Sequence, residues 1–387
     1  MTAAGGKWAN PTAAEREVGQ RITEPADMRP NERPEPARPG DRATPPAILS
    51  AMPDHIVPLG RIIAARGEIM GRLHRTPILS SQTAARTIES TTGVRIAGAT
   101  LQLKAEHLQK TGSFKPRGAL NRLAKLTPDQ RASGVVTLSA GNPAQAYAWA
   151  ASQANVHAVV VMPAGAVRSK VEACRAYGAE VVLYGAHVGE TFDRMRELRD
   201  ERGLTFVPPF DDPDVIAGNG SIGLELLEDL PELGVVVVGV GGGGLISGIA
   251  AALKELRPSI RVFGVEPEHS DAMRQALAAG HVVQIQPTSV ADGLGAPFAG
   301  EWTLAMVQRY VDDVILLDDP TILGGMRFAM ERMKQVVEPA GAAALAALLY
   351  GRVPLRAGDR VCAILSGGNV AIDRLGELLA AAAPPPG

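Results

Sequence analysis

Val235-Val-Val-Val-Gly-Val-Gly-Gly-Gly-Gly-Leu-Ile-Ser-Gly-Ile-Ala-Ala-Ala-Leu-Lys-Glu-Leu256 holds a strand, a turn and a helix in one stretch. Val235 to Val238 is apolar without alternation, which suits a strand covered on both faces. Gly239-Val240-Gly241-Gly242-Gly243-Gly244 follows, then a helical run from Leu245 to Leu256 and a further strand from Arg261 to Val265. That succession is one unit of a parallel sheet. At its turn, bare backbone N–H groups and the helix dipole can hold a phosphate, and glycines let it approach without Cβ interference. The competing reading is a flexible linker, but linkers rarely join a buried strand to an amphipathic helix. No Lys-Ser or Lys-Thr follows the glycines, so this is not a Walker loop. A phosphate-bearing cofactor is favoured over a nucleotide.

The same alternation extends in both directions. Upstream lie a strand Val135 to Leu138, a loop Ser139-Ala140-Gly141-Asn142-Pro143, and a helix Ala144 to Gln153. Strands at His157 to Met162, Glu180 to Tyr184 and Thr205 alternate with helices Ser169 to Tyr177 and Val188 to Arg202. Downstream, helices are expected at Ala217 to Leu230, Asp271 to Ala279, Thr321 to Gln335 and Ala340 to Tyr350. A last buried strand, Arg360 to Leu365, is closed by Ser366-Gly367-Gly368-Asn369.

Nearer the start, Pro58 to Leu73 places Ile62, Ile69 and Leu73 on one helical face. Val94 to Ile96 and Thr100 to Lys104 read as a hairpin-like pair. Thr127-Pro128-Asp129-Gln130 has the form of a capping box. The layout predicts an α/β protein with a larger domain, 54–133 and 212–380, and a smaller one, 134–211, inserted into it. Residues 1–53 are rich in Pro, Arg, Glu and Ala without an apolar period and are expected to be a disordered extension, either an interaction tail or a misassigned start. Residues 381–387 are expected to fray.

Bulk properties exclude several classes. A net charge of -2 over 387 residues leaves no basic stripe for a nucleic-acid backbone. The two cysteines, Cys174 and Cys362, have neither metal-ligand spacing nor a disulfide framework, which suits packed thiols in a reducing compartment. No apolar run reaches the roughly 18 residues needed to span a bilayer, and no secretory h-region is present. A soluble, cytoplasmic protein with no nucleic-acid or membrane partner is expected.

The reactive candidate is Lys115, within Leu103-Lys-Ala-Glu-His-Leu-Gln-Lys-Thr-Gly-Ser-Phe-Lys-Pro-Arg-Gly-Ala-Leu120. Its amine lies among Phe114, Pro116 and a helix N-terminus, where dipole and partial desolvation lower a lysine pKa. Such a lysine can form a Schiff base. Alone, a lysine in a Gly-Ser turn would be a surface residue. Ser139-Ala140-Gly141-Asn142 offers a hydroxyl, an amide and N-terminal backbone donors suited to a carboxylate, although alone it would be an ordinary helix cap. Ser366 ends a strand in a glycine turn at the carboxyl edge of a parallel sheet, where ligands gather in such folds; alone it is a turn residue.

Taken in order, Ser113 to Ala119, Ser139 to Asn142, the glycine run, Glu338-Pro339-Ala340-Gly341-Ala342 and Ser366 to Asn369 resemble the fold type II enzymes dependent on pyridoxal 5'-phosphate (PLP). The chain is most similar to their threonine/serine dehydratase (threonine ammonia-lyase) and serine racemase branch, over about residues 60 to 380. Asp214 to Glu225 and Ala291-Asp292-Gly293 add to the resemblance. It implies the fold of the tryptophan synthase β-subunit, two open twisted sheets flanked by helices, and a homodimer.

Site roles are implied in the same way. Lys115 would hold PLP as a Schiff base and act as the base at the substrate Cα, with Phe114 near the pyridine face. Asn142 would bond the phenolic oxygen. Gly241, Gly242, Gly243, Gly244 and the Leu245 N–H would cradle the phosphate, with Glu338 also at the cofactor. Ser366 would bond the pyridine nitrogen, and Ser139, Ala140, Gly141 and Asn142 would grip the substrate carboxylate. A serine cannot keep that nitrogen protonated as a carboxylate would, so the ring is a weaker electron sink and loss of a β-hydroxyl competes well. The cofactor phosphate, with a second pKa of about 6, suits protonation of that leaving group.

Departures from the pattern narrow the reading. Ala140 replaces the second serine of the racemases, which removes the acid on the opposite face of Cα. Pro143 stands where many relatives have His and lacks a backbone N–H, which bears on substrate preference. Cation-binding relatives carry a glutamate and, six positions on, an acid; here Glu266 is followed by Ala272, with Asp271 one place early, and no metal is expected. The segment after Ser366 is too short for a regulatory domain, so feedback by isoleucine is not expected.

The sequence therefore points to an ammonia-lyase acting on L-threonine or L-serine. The alternatives are 3-hydroxyaspartate or another β-hydroxy amino acid as substrate, serine racemisation, β-replacement, and a PLP-binding regulator with a dead site.

Overall fold

The computed structural model describes residues 55–384; the extension expected at 1–53 lies outside the described residues, as do the last three of the tail. Among the described residues ten strands form two sheets. They are β1 Ile78–Ser81, β2 Leu101–Lys104, β3 Val135–Leu138, β4 Ala158–Met162, β5 Glu180–Leu183, β6 Thr205–Phe206, β7 Val235–Gly239, β8 Arg261–Pro267, β9 Asp313–Leu317 and β10 Val361–Ile364. The six-stranded sheet has the order β1-β2-β10-β7-β8-β9 and the four-stranded sheet the order β5-β4-β3-β6. Every pairing is parallel except β1 with β2, which places Ile78 opposite Lys104.

The unbroken valines of β7 have the expected cause. Val235 and Val237 pack on one face with the helices Gln82–Thr92, Asp319–Met333 and Pro339–Leu349. Val236 and Val238 pack on the other with Leu59–Ile69, Pro213–Asp229, Gly244–Leu256 and Glu301–Tyr310. A strand covered on both faces needs no polar side. All 11 residues of Pro339–Leu349 are buried, as befits a helix that is apolar all round. The four-stranded sheet repeats the logic: Val160 and Met162 meet the helix Asn142–Ala154, while Val159 and Val161 meet Val188–Arg202.

Several expectations need correction. Val94 to Ile96 is not a strand: Ile96 is buried, but the backbone there leads into a short 3-10 turn, Ala97–Ala99. The antiparallel partner of β2 is instead β1, and the helix Gln82–Thr92, capped by Ser81, connects them. Ile78–Ser81 has too few apolar residues to announce itself as a strand. Glu301–Tyr310 and β9 were likewise not expected. The helix anticipated from Ala217 begins at Pro213, because the Asp212 carboxylate accepts the N–H groups of Asp214 and Val215.

The capping box at Thr127 forms with both reciprocal bonds. Both cysteines are buried and unpaired, and burial pushes each thiol up to about 12. Part of the tail expected to fray is tied down, since the Tyr350 hydroxyl donates to the Pro384 carbonyl at 2.9 Å. No helix among the described residues is long and apolar enough to cross a membrane.

Candidate active site

Four turns that follow the carboxyl ends of parallel strands build the site. Strand β2 leads into the lysine turn, β3 into Ser139–Gly141, β7 into the glycine run and β10 into Ser366. The lysine turn is stitched to the β10 turn by backbone. Ser113 bridges Gly367, the Phe114 N–H donates to Ser366 O at 3.1 Å, and the Gly368 N–H donates to Gly112 O at 2.9 Å. Glu338 joins them through its N–H to Gly367 O at 3.1 Å. Residues scattered over the sequence are thereby held as one rigid unit.

Lys115 occupies the N-cap of the helix Pro116–Ala124, with Pro116 in the first turn. Its half-buried side chain lies 4.9 Å from the centre of the Phe114 ring, and Nζ donates to Pro209 O at 3.3 Å. Burial lowers the amine to about 8, with Glu338 pulling the other way. In protein free of cofactor, labelling by an amine-acylating reagent, read by peptide mass, is expected to give Lys115 a midpoint near pH 8. Surface lysines should titrate at about 10.4. A midpoint for Lys115 near the surface value would contradict its burial.

The segment that receives the lysine bond also covers the glycine run. A Cβ on Gly242 would collide with the Phe210 ring, and one on Gly244 would lie 2.8 Å from Phe210 O. Gly243 turns the chain at φ 89° into the helix Gly244–Leu256, whose first-turn N–H groups have no intrahelical acceptor. Leu245 is buried in that first turn. Phe210 was not singled out in the sequence, where it reads only as part of a Pro-Pro-Phe-Asp-Asp loop.

From the other sheet, Asn142 opens the helix Asn142–Ala154 and is buried. Its Nδ2 donates to Glu338 Oε1 at 2.6 Å, which sets the two motifs side by side. Burial, with Asp292 adding to it, raises the Glu338 carboxyl to about 7 against the Asn142 and Asn369 hydrogen bonds and Lys170. Ser139 Oγ accepts the Gly141 N–H at 3.1 Å, and Ser139, Ala140 and Gly141 are half-buried. Ser366 is buried at the end of β10. Lys170, another residue not singled out, pairs with Asp292 at 3.0 Å, tying the helix Arg168–Ala176 to the Ala291-Asp292-Gly293 turn. Glu266 lies elsewhere: its buried carboxylate accepts the Met273 and Arg274 N–H groups.

A lysine of lowered basicity beside a helix N-terminus built for an anion is half of a recognisable arrangement. The comparison with known families supplies the rest, for the profile described as Pyridoxal-phosphate dependent enzyme matches residues 71–367. The chain belongs to that family.

Among relatives of this pyridoxal-phosphate dependent enzyme, L-threonine dehydratase catabolic TdcB of Escherichia coli (strain K12) is 39% identical over 324 residues, 83% of this chain and 96% of that one. L-threo-3-hydroxyaspartate ammonia-lyase of Saccharomyces cerevisiae is 39% identical over 326 residues, 84% of this chain and 97% of that one. The structure of maize serine racemase matches with a TM-score of 0.77 at 36% identity, covering 84% of this chain and 97% of that one. The architecture is that of the fold type II enzymes.

The residues present fit PLP. The unpaired N–H groups that open the helix Gly244–Leu256 suit a phosphate, and the Lys115 amine bonds Pro209 O, next to the Phe210 that covers the glycine run. Ser113, two residues before the lysine and bridged to Gly367, keeps a buried hydroxyl with no hydrogen-bond partner among the described residues.

Proposed function

We propose that this chain is a PLP-dependent ammonia-lyase that converts L-threonine, L-serine or both to a 2-oxo acid and ammonia. When bound, PLP supplies the electron sink for charge developing at the substrate Cα. Lys115 holds the cofactor and takes the Cα proton. Gly241, Gly242, Gly243, Gly244 and the Leu245 N–H hold its phosphate, Phe114 packs at its ring, and Ser366 and Asn142 bond its ring nitrogen and phenolic oxygen. Ser139 and the N–H groups that follow it orient the substrate carboxylate. In the net change the Cα–H and Cβ–OH bonds break, water leaves, and the resulting enamine becomes an imine that water converts to the oxo acid and ammonium.

One observation carries this reading above racemisation. The lysine amine, lowered to about 8 by burial, is at hand as a base, whereas Ala140 offers no hydroxyl in the loop where an opposite acid would stand. Proton removal from one side followed by loss of the β-hydroxyl is the chemistry this supports. We further take 54–133 with 212–380 as the larger domain, 134–211 as the smaller, and a cytoplasmic homodimer as the working form.

PLP-loaded protein offered L-threonine, both serine enantiomers and 3-hydroxyaspartate is expected to release equimolar 2-oxo acid and ammonia from L-threonine or L-serine. Release from 3-hydroxyaspartate alone would move the substrate assignment to that acid. No oxo acid from any of them would overturn the proposal.

A further inference from the structure

Asn142 is caught between two partners. While its Nδ2 donates to Glu338, its Oδ1 accepts from Asn369 Nδ2 at 2.8 Å. Asn369 Nδ2 also donates to the Thr111 carbonyl at 2.7 Å. A carbonyl oxygen only accepts, so Thr111 dictates which end of the Asn369 carboxamide faces it. The second Asn369 N–H then requires an oxygen from Asn142, which turns the Asn142 amino group towards Glu338. The Glu338 Oε1 accepts there and matches that end. Direction thus passes from one backbone carbonyl through two carboxamides, and a single Nδ2 hydrogen of Asn142 is left uncommitted.

The backbone approaches this network closely at two glycines. A Cβ at Gly112 would collide with Asn369 Oδ1. One at Gly367 would collide with Glu338 Oε1 and lie 3.2 Å from Asn142 Nδ2. The Asn369 backbone N–H also acts to lower the Glu338 carboxyl, so the two outer members of the network lie close to each other.

We propose that Asn369 and Glu338 are positioning residues that clamp the Asn142 carboxamide so that its remaining N–H, and not its oxygen, faces the phenolic oxygen of PLP. The inference rests on the placement of Asn142 at the cofactor and is independent of which substrate is used. Without the clamp the carboxamide can turn over and set oxygen against oxygen. A merely structural role, tying three loops together, would act whether or not Asn142 were present.

The test is a double-mutant cycle on the full chain. The readouts are the PLP dissociation constant, from equilibrium dialysis, and the visible absorbance maximum of the loaded protein. Asn142→Ala is expected to weaken PLP about tenfold, on the order of one charge-assisted hydrogen bond, and to shift the maximum. Asn369→Asp, which keeps shape but loses both donors, should reproduce both changes. In the Asn142→Ala background it should add less than about twofold. Asn369→Ala and Glu338→Gln provide the same comparison should the aspartate variant fail to fold.

Equal losses in both backgrounds would make the clamp a structural tie and overturn the proposal. Unchanged affinity in the position-369 and Glu338 variants would do the same. Unchanged affinity in Asn142→Ala would instead show that Asn142 does not meet the cofactor, and the clamp would fall with it. PLP binding itself is read separately, from borohydride-fixed label on Lys115 in the unaltered chain.

Discussion

Lys115→Ala is expected to lower kcat/KM for 2-oxo acid formation by at least about 10³-fold, because in the proposed mechanism one residue both holds the cofactor and moves the proton. Borohydride reduction of the PLP-loaded parent should leave the cofactor mass on the peptide that contains Lys115. In the variant that mass should be missing. Lys115→Arg should not rescue turnover, since a guanidinium stays protonated and cannot act as the nucleophile.

A control separates this loss from misfolding. The folded amine, at about 8, lies below its ordinary 10.5, so the fold binds fewer protons than the unfolded chain between those values. Stability linked to Lys115 therefore rises as pH climbs from about 8 towards 10.5, and below that window the partly desolvated ammonium is a cost. Lys115→Ala removes the cost, so the cofactor-free variant should melt no lower than the parent at neutral pH. A sharply lower melting temperature, or cofactor fixed at another lysine, would refute the assignment.

Arg117→Met has the other large expected effect, and it falls on stability. Arg117 is 1% exposed, yet its guanidinium bonds Glu106 twice at 2.8 Å, Glu225 at 2.7 and 2.9 Å, and Ser221 Oγ at 3.0 Å. Lys104, fully buried on β2, adds a bond to Glu225 at 2.6 Å and one to Thr76 O at 2.8 Å, while Thr76 donates to Glu106. Burial pushes the Arg117 pKa down, but Glu106 and Glu225 override it and raise the group. Burial pushes Glu225 up, and Arg117 with Lys104 holds it below its usual range.

Removing the guanidinium strands the Glu106 carboxylate, which is 0% exposed. The expected loss is about 3–5 kcal/mol, measured by urea unfolding of the cofactor-free protein. Arg117→Lys should recover little of it, because a single ammonium cannot bridge two carboxylates in the manner of a planar fork. Adding Glu106→Gln to Arg117→Met should restore part of the stability by removing the stranded charge. An Arg117→Met variant within about 1 kcal/mol of the parent would show that the cluster contributes no more than surface pairs do. Because Arg117 lies in the first turn of the helix that Lys115 caps, the same variant should also weaken PLP binding.

How legible these features were in the sequence depended on their range. The turn around Lys115, the glycine run and the capping box at Thr127 are local: a few adjacent residues carry both the backbone geometry and the chemistry. β7 was legible for a related reason, since burial on both faces leaves its mark in consecutive residues. The strand that pairs with β2 was not. Val94 to Ile96 has the better strand composition, yet Ile78–Ser81 takes the edge, because the helix Gln82–Thr92 must pack its Ala84, Ala85 and Ile88 on the sheet between them. Nothing near Arg117, Glu106 and Lys104 in sequence indicates that they bury one another.

By itself the sequence determined the α/β alternation, the lysine turn, the glycine turn between strand and helix and the presence of alanine at position 140, because each follows from the identity and order of neighbours. The tertiary structure alone decided the rest. It set Asn142 between Glu338 and Asn369, placed Phe210 over Gly242, tied Lys170 to Asp292 and closed the charge cluster behind Lys115. Those contacts join residues up to 227 positions apart. The direction of a carboxamide or the protonation of a buried carboxyl depends on partners that only the folded chain brings within hydrogen-bonding distance.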